Sequence, residues 1–310
     1  MISLGVSPIW ADTIRIATYA APLSRNGPGL LLADILNETP EIVQVSERIE
    51  ALAADVLLLT DIDYDLDLRA LSALNDRLST PYPHIFALRP NSGMQTGFDA
   101  DQNGRLGEAR DAMGYGRFSG DGGMAILSNF PIGTVTDYSD ALWADLPQTL
   151  MAKDDPLRGV QRLSSVGHWQ VQILTPNRPL TLLAFSATPP VFDGPEDRNG
   201  RRNADEIRFW RNVLDGDFGP PPDDFVTLGI ANLDPDRGDG RREAIINLLN
   251  DPRIRDPLPD QPTAYWPDPI GALRVDYVLP SATLTIQNAG IEDTPIGPHR
   301  PVWVDVLSAP

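Results

Sequence analysis

Four short stretches carry side chains able to do chemistry. Asp61, Asp63 and Asp65 alternate in D-I-D-Y-D. In an extended chain, residues two apart share a face, so three carboxylates would line up as hard oxygen ligands for a cation. The same residues suit a solvated loop opening a helix, where Asp is favoured near the N-terminus, and that reading is preferred. Asp234, Asp236 and Asp239 in D-P-D-R-G-D resemble a calcium-type loop only loosely and read as a solvated turn. The loop at 193–202, DGPEDRNGRR, holds Arg198, Arg201 and Arg202, whose planar forks suit a phosphate or a carboxylate. Asp193, Glu196 and Asp197 balance them, which favours a salt-bridged loop over a binding site. His168, next to Trp169, stands at a strand start as either a ligand contact or a satisfied structural histidine.

Composition narrows the field. The chain has 310 residues and no cysteine, which removes disulfides, thiolate nucleophiles and cysteine zinc sites. Three histidines, His84, His168 and His299, make a histidine-rich metal site hard to build. A net charge of −18 argues against nucleic acid as a partner, because sequence-independent binding needs a basic surface to neutralise phosphates. It leaves room for a local basic pocket. Apolar runs fall far short of the roughly 18 residues of a membrane span. Residues 1–11, MISLGVSPIWA, read equally as the tail end of a signal peptide or as a plain start before the first strand. The first reading implies a periplasmic or extracellular protein, the second a cytoplasmic one.

The elements that must position these side chains are short, because 30 prolines and 25 glycines punctuate the chain. Hydrophobic spacing predicts strands at 14–19, 55–60, 85–88, 123–128, 134–138, 161–166, 168–174, 180–185, 225–228, 274–279, 284–289 and 302–306. Helical spacing covers 29–36, 41–52, 66–78, 203–214 and 241–249. Asn203 would cap the fourth helix, with Glu206 three residues on. Residues 90–122 form a long polar, glycine-rich insertion. Alternating strands and helices with hairpin-joined neighbours imply two mixed sheets packed face to face, helices outside, in a single domain over 12–310.

In their order, several stretches resemble the endonuclease/exonuclease/phosphatase superfamily, and within it a secreted bacterial phytase-like or alkaline-phosphatase-like branch. They include RIATYAAPLSR (15–25), DVLLLTDIDYD (55–65), GRFSGDGGMAILSNFPI (116–132) and LRGVQRLSSVGHWQV (157–171). TPPVFDGPEDRNGRRNADEIRFW (188–210), LGIANLDP (228–235), LRVDYVLP (273–280) and HRPVWVDV (299–306) continue the series. The resemblance implies a four-layer α/β sandwich of the deoxyribonuclease-I type. It also implies phosphoester hydrolysis with Mg²⁺ or another divalent cation held by oxygen ligands. Matched residue by residue, the family's first-strand Asn falls on Ala20 and its metal Glu on Asp61. Its middle His falls on Ser186 and the His of its R-N-H-D-E stretch on Ala204. Its G-D-x-N turn reads Gly229-Ile230-Ala231-Asn232, and its S-D-H reads Gly297-Pro298-His299. Asp276 and His299 remain as an orienting pair, and Asn232 as a residual site residue. The family also places the loop with residues 103–110 and Arg117 near the site mouth. The expectation is a degenerate, catalytically inactive member that keeps ligand or anion binding, with a phosphorylated small molecule or another anion as partner. His168, Arg198, Arg201 and Arg202 would serve on the substrate side. The alternative is a weak divalent-metal-dependent phosphoesterase using Asp61 for the metal with Asn232, Asp276 and His299.

Overall fold

The computed structural model describes residues 13–292 and 296–307; the segment at 1–11 lies outside the described residues. The chain enters on β1 (Thr13–Leu23), crosses through helices α1 (Leu30–Leu36) and α2 (Pro40–Leu52), and returns parallel to β1 as β2 (Val56–Ile62). Helix α3 (Arg69–Asp76) leads to the short β3 (His84–Phe86), and a long loop follows before β4 (Gly123–Ser128) and β5 (Ile132–Asp137). A hairpin of β6 (Gly167–Ile173) and β7 (Leu180–Ser186) comes next. Helix α4 (Arg198–Asp215) then carries the chain to β8 (Phe225–Ile230), parallel to β7. Helix α5 (Glu243–Leu249), the ribbon β9 (Ala264–Tyr265) and β10 (Ala272–Leu273), and strands β11 (Asp276–Pro280), β12 (Ile286–Ile291) and β13 (Val302–Leu307) complete it.

One sheet runs β12-β13-β1-β2-β4-β3 and the other β11-β8-β7-β6-β5. Each has a parallel pair at its centre, β1 with β2 and β7 with β8, while their other neighbours are antiparallel. The sheets are therefore mixed, as expected. Strand periodicity explains the layers. On β1, Ile14 and Ile16 enter the core between the sheets, with Val56, Leu58, Val171, Leu182 and Val226. Their neighbours Ala17, Tyr19 and Ala21 point the other way, onto Ile35, Val45 and Leu74 of the outer helices. The second sheet repeats this, with Leu183 and Phe185 turned towards Ile207, Trp210 and Leu248. Strand β2 is buried on both faces, which is why its sequence is a continuous apolar run without alternation. Among the described residues no helix is long and apolar enough to cross a membrane.

Two expectations are corrected. Residues 161–166 make no strand; only an isolated bridge joins Arg162 to Leu142. The polar members of that stretch bond elsewhere, as when Gln161 Nε2 donates to the Met113 carbonyl of a loop and Ser165 Oγ to Glu206 of α4. Helix α4 begins at Arg198, five residues ahead of the expected cap. The Asp193 carboxylate accepts the Asn199 backbone N–H and so fastens the first turn. Asn203 is therefore interior and buried, and its amide donates to the carbonyls of Thr188 and Ala231, both at 2.7 Å.

Candidate functional site

A cleft of about 870 Å³ opens where the parallel strands of both sheets end. Ala20 of β1, Asp61 of β2, Ser186 of β7 and Ile230 of β8 all line it. Ligand sites favour such strand ends because neighbouring chains diverge there. Asp61 sits at a break in the β2–β4 register with a left-handed backbone, φ 58. Across from it, Gly122 also has a positive φ, and a side chain there would meet the Asp61 carboxylate at 3.2 Å. On β8, a Cβ at Gly229 would lie 1.9 Å from the Phe185 carbonyl, so glycine alone lets β7 and β8 approach. The turn after β8 puts Asn232 at φ 53, and its amide donates to the Ala187 carbonyl at 2.8 Å, lacing the ends of β7 and β8 together.

Asp276 and His299 do meet. His299 Nδ1 lies 2.9 Å and 3.1 Å from the two Asp276 carboxylate oxygens. With Nδ1–H donating to that carboxylate, Nε2 is the free nitrogen of a ring that lines the cleft. Thr263 Oγ1 also donates to Asp276, at 3.0 Å, and Trp266 stands edge-on to the imidazole, ring centres 5.3 Å apart. Burial works against the charged imidazole, yet the charge and hydrogen bond of Asp276, with Asp61 beyond, outweigh it and raise the His299 pKa. Burial raises Asp61 to about 7, with Asp63 and Asp121 adding to the effect and His299 opposing it. The Asp61 surface is open to water, but that water occupies a concave cleft and not bulk solvent.

The alternating aspartates do not converge. Asp61 faces the cleft. Asp63 is buried and accepts the backbone N–H groups of Arg25 at 2.9 Å and Gly122 at 3.1 Å. Asp65 accepts those of Arg69 and Ala70 at the start of α3. This bears out the helix-opening reading for Asp65 alone. Asp234 is buried and accepts backbone N–H groups from Asp236, Arg237 and Arg274, so it closes a turn as expected. Among the described residues, the group of three carboxylates within ligand spacing is Asp99, Asp101 and Asp111, whose oxygens lie within 4.8 Å in the long loop and outside the cleft.

The expected substrate-side cluster is corrected by its placement, since none of its members lines the cleft. His168 is fully buried, with Nδ1 2.6 Å from Ser164 Oγ and Nε2 2.9 Å from the Glu206 carbonyl; burial lowers its pKa to about 4. Arg198 pairs with Asp155 at 2.9 Å, Arg201 reaches the Asp197 carbonyl, and buried Arg202 donates to the carbonyls of Arg162, Leu163 and Ser164. Ala204 is buried inside α4. Arg117 does line the cleft, as expected of its loop. Missed at the sequence level were Phe192, Arg237, Trp266 and Ile270. They sit in irregular segments after strand ends, where no periodicity marks them; proline and glycine density was the signal available.

A model of the Endonuclease/Exonuclease/phosphatase family matches residues 25–301. No curated protein matches the chain. Among solved structures, an endonuclease/exonuclease/phosphatase from Beutenbergia cavernae superposes with a TM-score of 0.61 at 13% identity, over 95% of this chain and 71% of that one. Sphingomyelinase C from Streptomyces griseocarneus gives 0.52 at 16% identity, over 95% and 99% of the two chains. The 3′ phosphatase NExo from Neisseria gives 0.52 at 16%, over 94% and 99%. At such identities the likeness concerns the fold. With the family model spanning most of the sequence, the chain belongs to the endonuclease/exonuclease/phosphatase family.

Proposed function

We propose that the protein keeps its family's scaffold and cleft but has lost the hydrolytic constellation, so that it binds a ligand without cleaving it. The observation that carries this reading is the cleft floor. Ala20 near the end of β1, and Ser186 and Ile230 at the ends of β7 and β8, stand where phosphoester chemistry would need metal ligands, a proton carrier and a water-orienting carboxylate. A methyl and a sec-butyl group can do none of these things. Pro298, next to His299, supplies neither a carboxylate nor an N–H.

The donor set does not fit Mg²⁺, which demands near-octahedral oxygen coordination. Asp61 and, in the loop after β8, Asp239 offer open carboxylates, too few for that coordination. Asp121 already accepts Ser24 Oγ and the Arg117 N–H, and Asp234 accepts three N–H groups. Losing one transition-state donor costs roughly 10²–10³ in rate, and such groups act as a unit.

The test is turnover of a phosphomonoester and of DNA with Mg²⁺, Mn²⁺ or Ca²⁺. No turnover above a protein-free control is expected. Turnover that scales with protein and vanishes in Asp61→Ala would overturn the reading. It would favour a weak metal-dependent phosphoesterase built on Asp61, Asn232, Asp276 and His299.

A further inference from the structure

We infer that the cleft takes an organic anion with an apolar body, its charged group held by Arg117 and Arg237 and its body laid against Trp266, Ile270 and Leu273. The inference rests on the reading of the cleft as a binding site without turnover.

The two arginines come from separate loops and line one cleft. The chain has 43 acidic residues against 25 Lys and Arg, and Arg15, Arg25, Arg198, Arg253 and Arg274 all hold carboxylates. Among the described residues, neither Arg117 nor Arg237 has an ion-pair partner. Both are anchored at the main chain instead. The Arg117 N–H donates to Asp121 at 2.8 Å and the Arg237 N–H to Asp234 at 2.9 Å, each carboxylate only 7% exposed. Each guanidinium thus leaves from a fixed point, which lowers the ordering cost of gripping an anion.

The body follows from size and lining. A cleft of about 870 Å³ suits a ligand of tens of atoms and far exceeds an inorganic anion. Its apolar side includes Trp266, Leu273 and Ile270, the last 57% exposed. Phe192 stands on the rim, 88% exposed, with a backbone φ of 72. A bulky residue held left-handed, with its ring in water, is a strained arrangement that an apolar ligand surface would reward. Asp61, Asp121, Asp234 and Asp239 also line the cleft and favour a cation, so a cationic arm belongs in the test.

Calorimetric titration with naphthalene-2-sulfonate, decyl sulfonate, inorganic phosphate and naphthylmethylammonium, all in chelator, separates the readings. One or both sulfonates are expected to bind, the tighter one identifying an aromatic or an aliphatic body. Phosphate and the ammonium should bind at least about tenfold more weakly. Arg117→Ala with Arg237→Ala should cost the sulfonate about tenfold or more, since each charge-assisted contact is worth roughly that factor. Arg69→Ala, an exposed arginine outside the cleft, should not. The single Arg117→Gln and Arg237→Gln variants carry the same test if the double variant fails to fold. Tighter binding of the ammonium, phosphate equal to the sulfonates, or folded arginine variants that bind unchanged would overturn the inference. Phosphomonoester turnover would sink the preceding reading alone. The sulfonate would then act as a competitive inhibitor whose potency falls in the same variants.

Discussion

Asp61 and His299 line the same cleft and lie close enough for each to feel the other's charge. The imidazole prefers its proton because Asp276 outweighs the burial that opposes it. An NMR titration should therefore place His299 above the ordinary 6.5, and Asp276→Asn should drop it, since burial would then act with less opposition. A histidine pKa that stays put in Asp276→Asn would remove the pair as the cause. The stability consequence has a definite sign. A histidine with a raised native pKa stabilises the fold fully below its unfolded value, and that contribution is lost as pH climbs through the native one. Asp61 adds the same slope, because between 3.8 and about 7 the native state holds a proton that the unfolded chain has released. Asp61→Asn should thus flatten the dependence of Tm on pH across that window. An unchanged slope in the variant would exclude Asp61 as its source. The Asp–His contact was legible through the family resemblance, because both residues fall in matched motifs. The fate of D-I-D-Y-D was not. Period-two counting assumes an unbroken strand, and the left-handed turn at Asp61 breaks it, sending three carboxylates to three separate tasks.

Helix α4 does more than bury an apolar face. Its Glu206 is fully buried and accepts the Ser165 N–H at 2.6 Å, Ser165 Oγ at 2.7 Å and the Thr188 N–H at 2.7 Å. Ser165 and Thr188 both line the cleft, so one carboxylate fixes two of its walls from behind. Glu206→Ala leaves these donors without their acceptor and buried Arg202 without a nearby counter-charge, and should destabilise the protein by about 3 kcal/mol in urea unfolding. A loss below about 1 kcal/mol would mean that water replaces the carboxylate and that the clamp is not structural. The sequence pointed to Glu206 for another reason, as the partner of an Asn203 cap. The spacing that suggested a capping box is present, but the helix starts earlier. Gly200 and the mixed charges around it look like loop composition, and the turn is held by an Asp193 contact that no local rule foresees. The strands were legible where burial is periodic or continuous, as in β1 and β2. They were misread at 161–166, where buried polar side chains imitate a half-buried strand while bonding to a loop and to α4.

At the scale of the whole molecule, the two sheets differ in how their strands are drawn from the chain. The five strands of one sheet all fall between Ile132 and Pro280. The other sheet needs both ends of the described chain, because Thr13 is in register with Leu307 and β13 separates β1 from β12. Removing residues from Val302 onward should therefore abolish cooperative unfolding in calorimetry, since β1 loses a neighbour and the inter-sheet core loses Val302, Val304 and Val306. A sharp transition in the truncated protein would show that the strand is dispensable. The layered sandwich itself was legible because apolar spacing repeats in both halves and loops return strands as hairpins. Which strand pairs with which was not, since that depends on contacts distant in sequence.

The same pairing sets a clock. A ribosome adding about 5–20 residues per second takes tens of seconds to pass from the end of β2 to β13. Throughout that interval β1 carries a bare edge of hydrogen-bonding groups that any passing strand can borrow. The contiguous sheet can assemble meanwhile and offer Val171, Leu182 and Val226 as a surface on which the first sheet waits. Nascent chains of this protein should thus be most exposed to aggregation late in synthesis, and their dependence on chaperones should end when β13 docks.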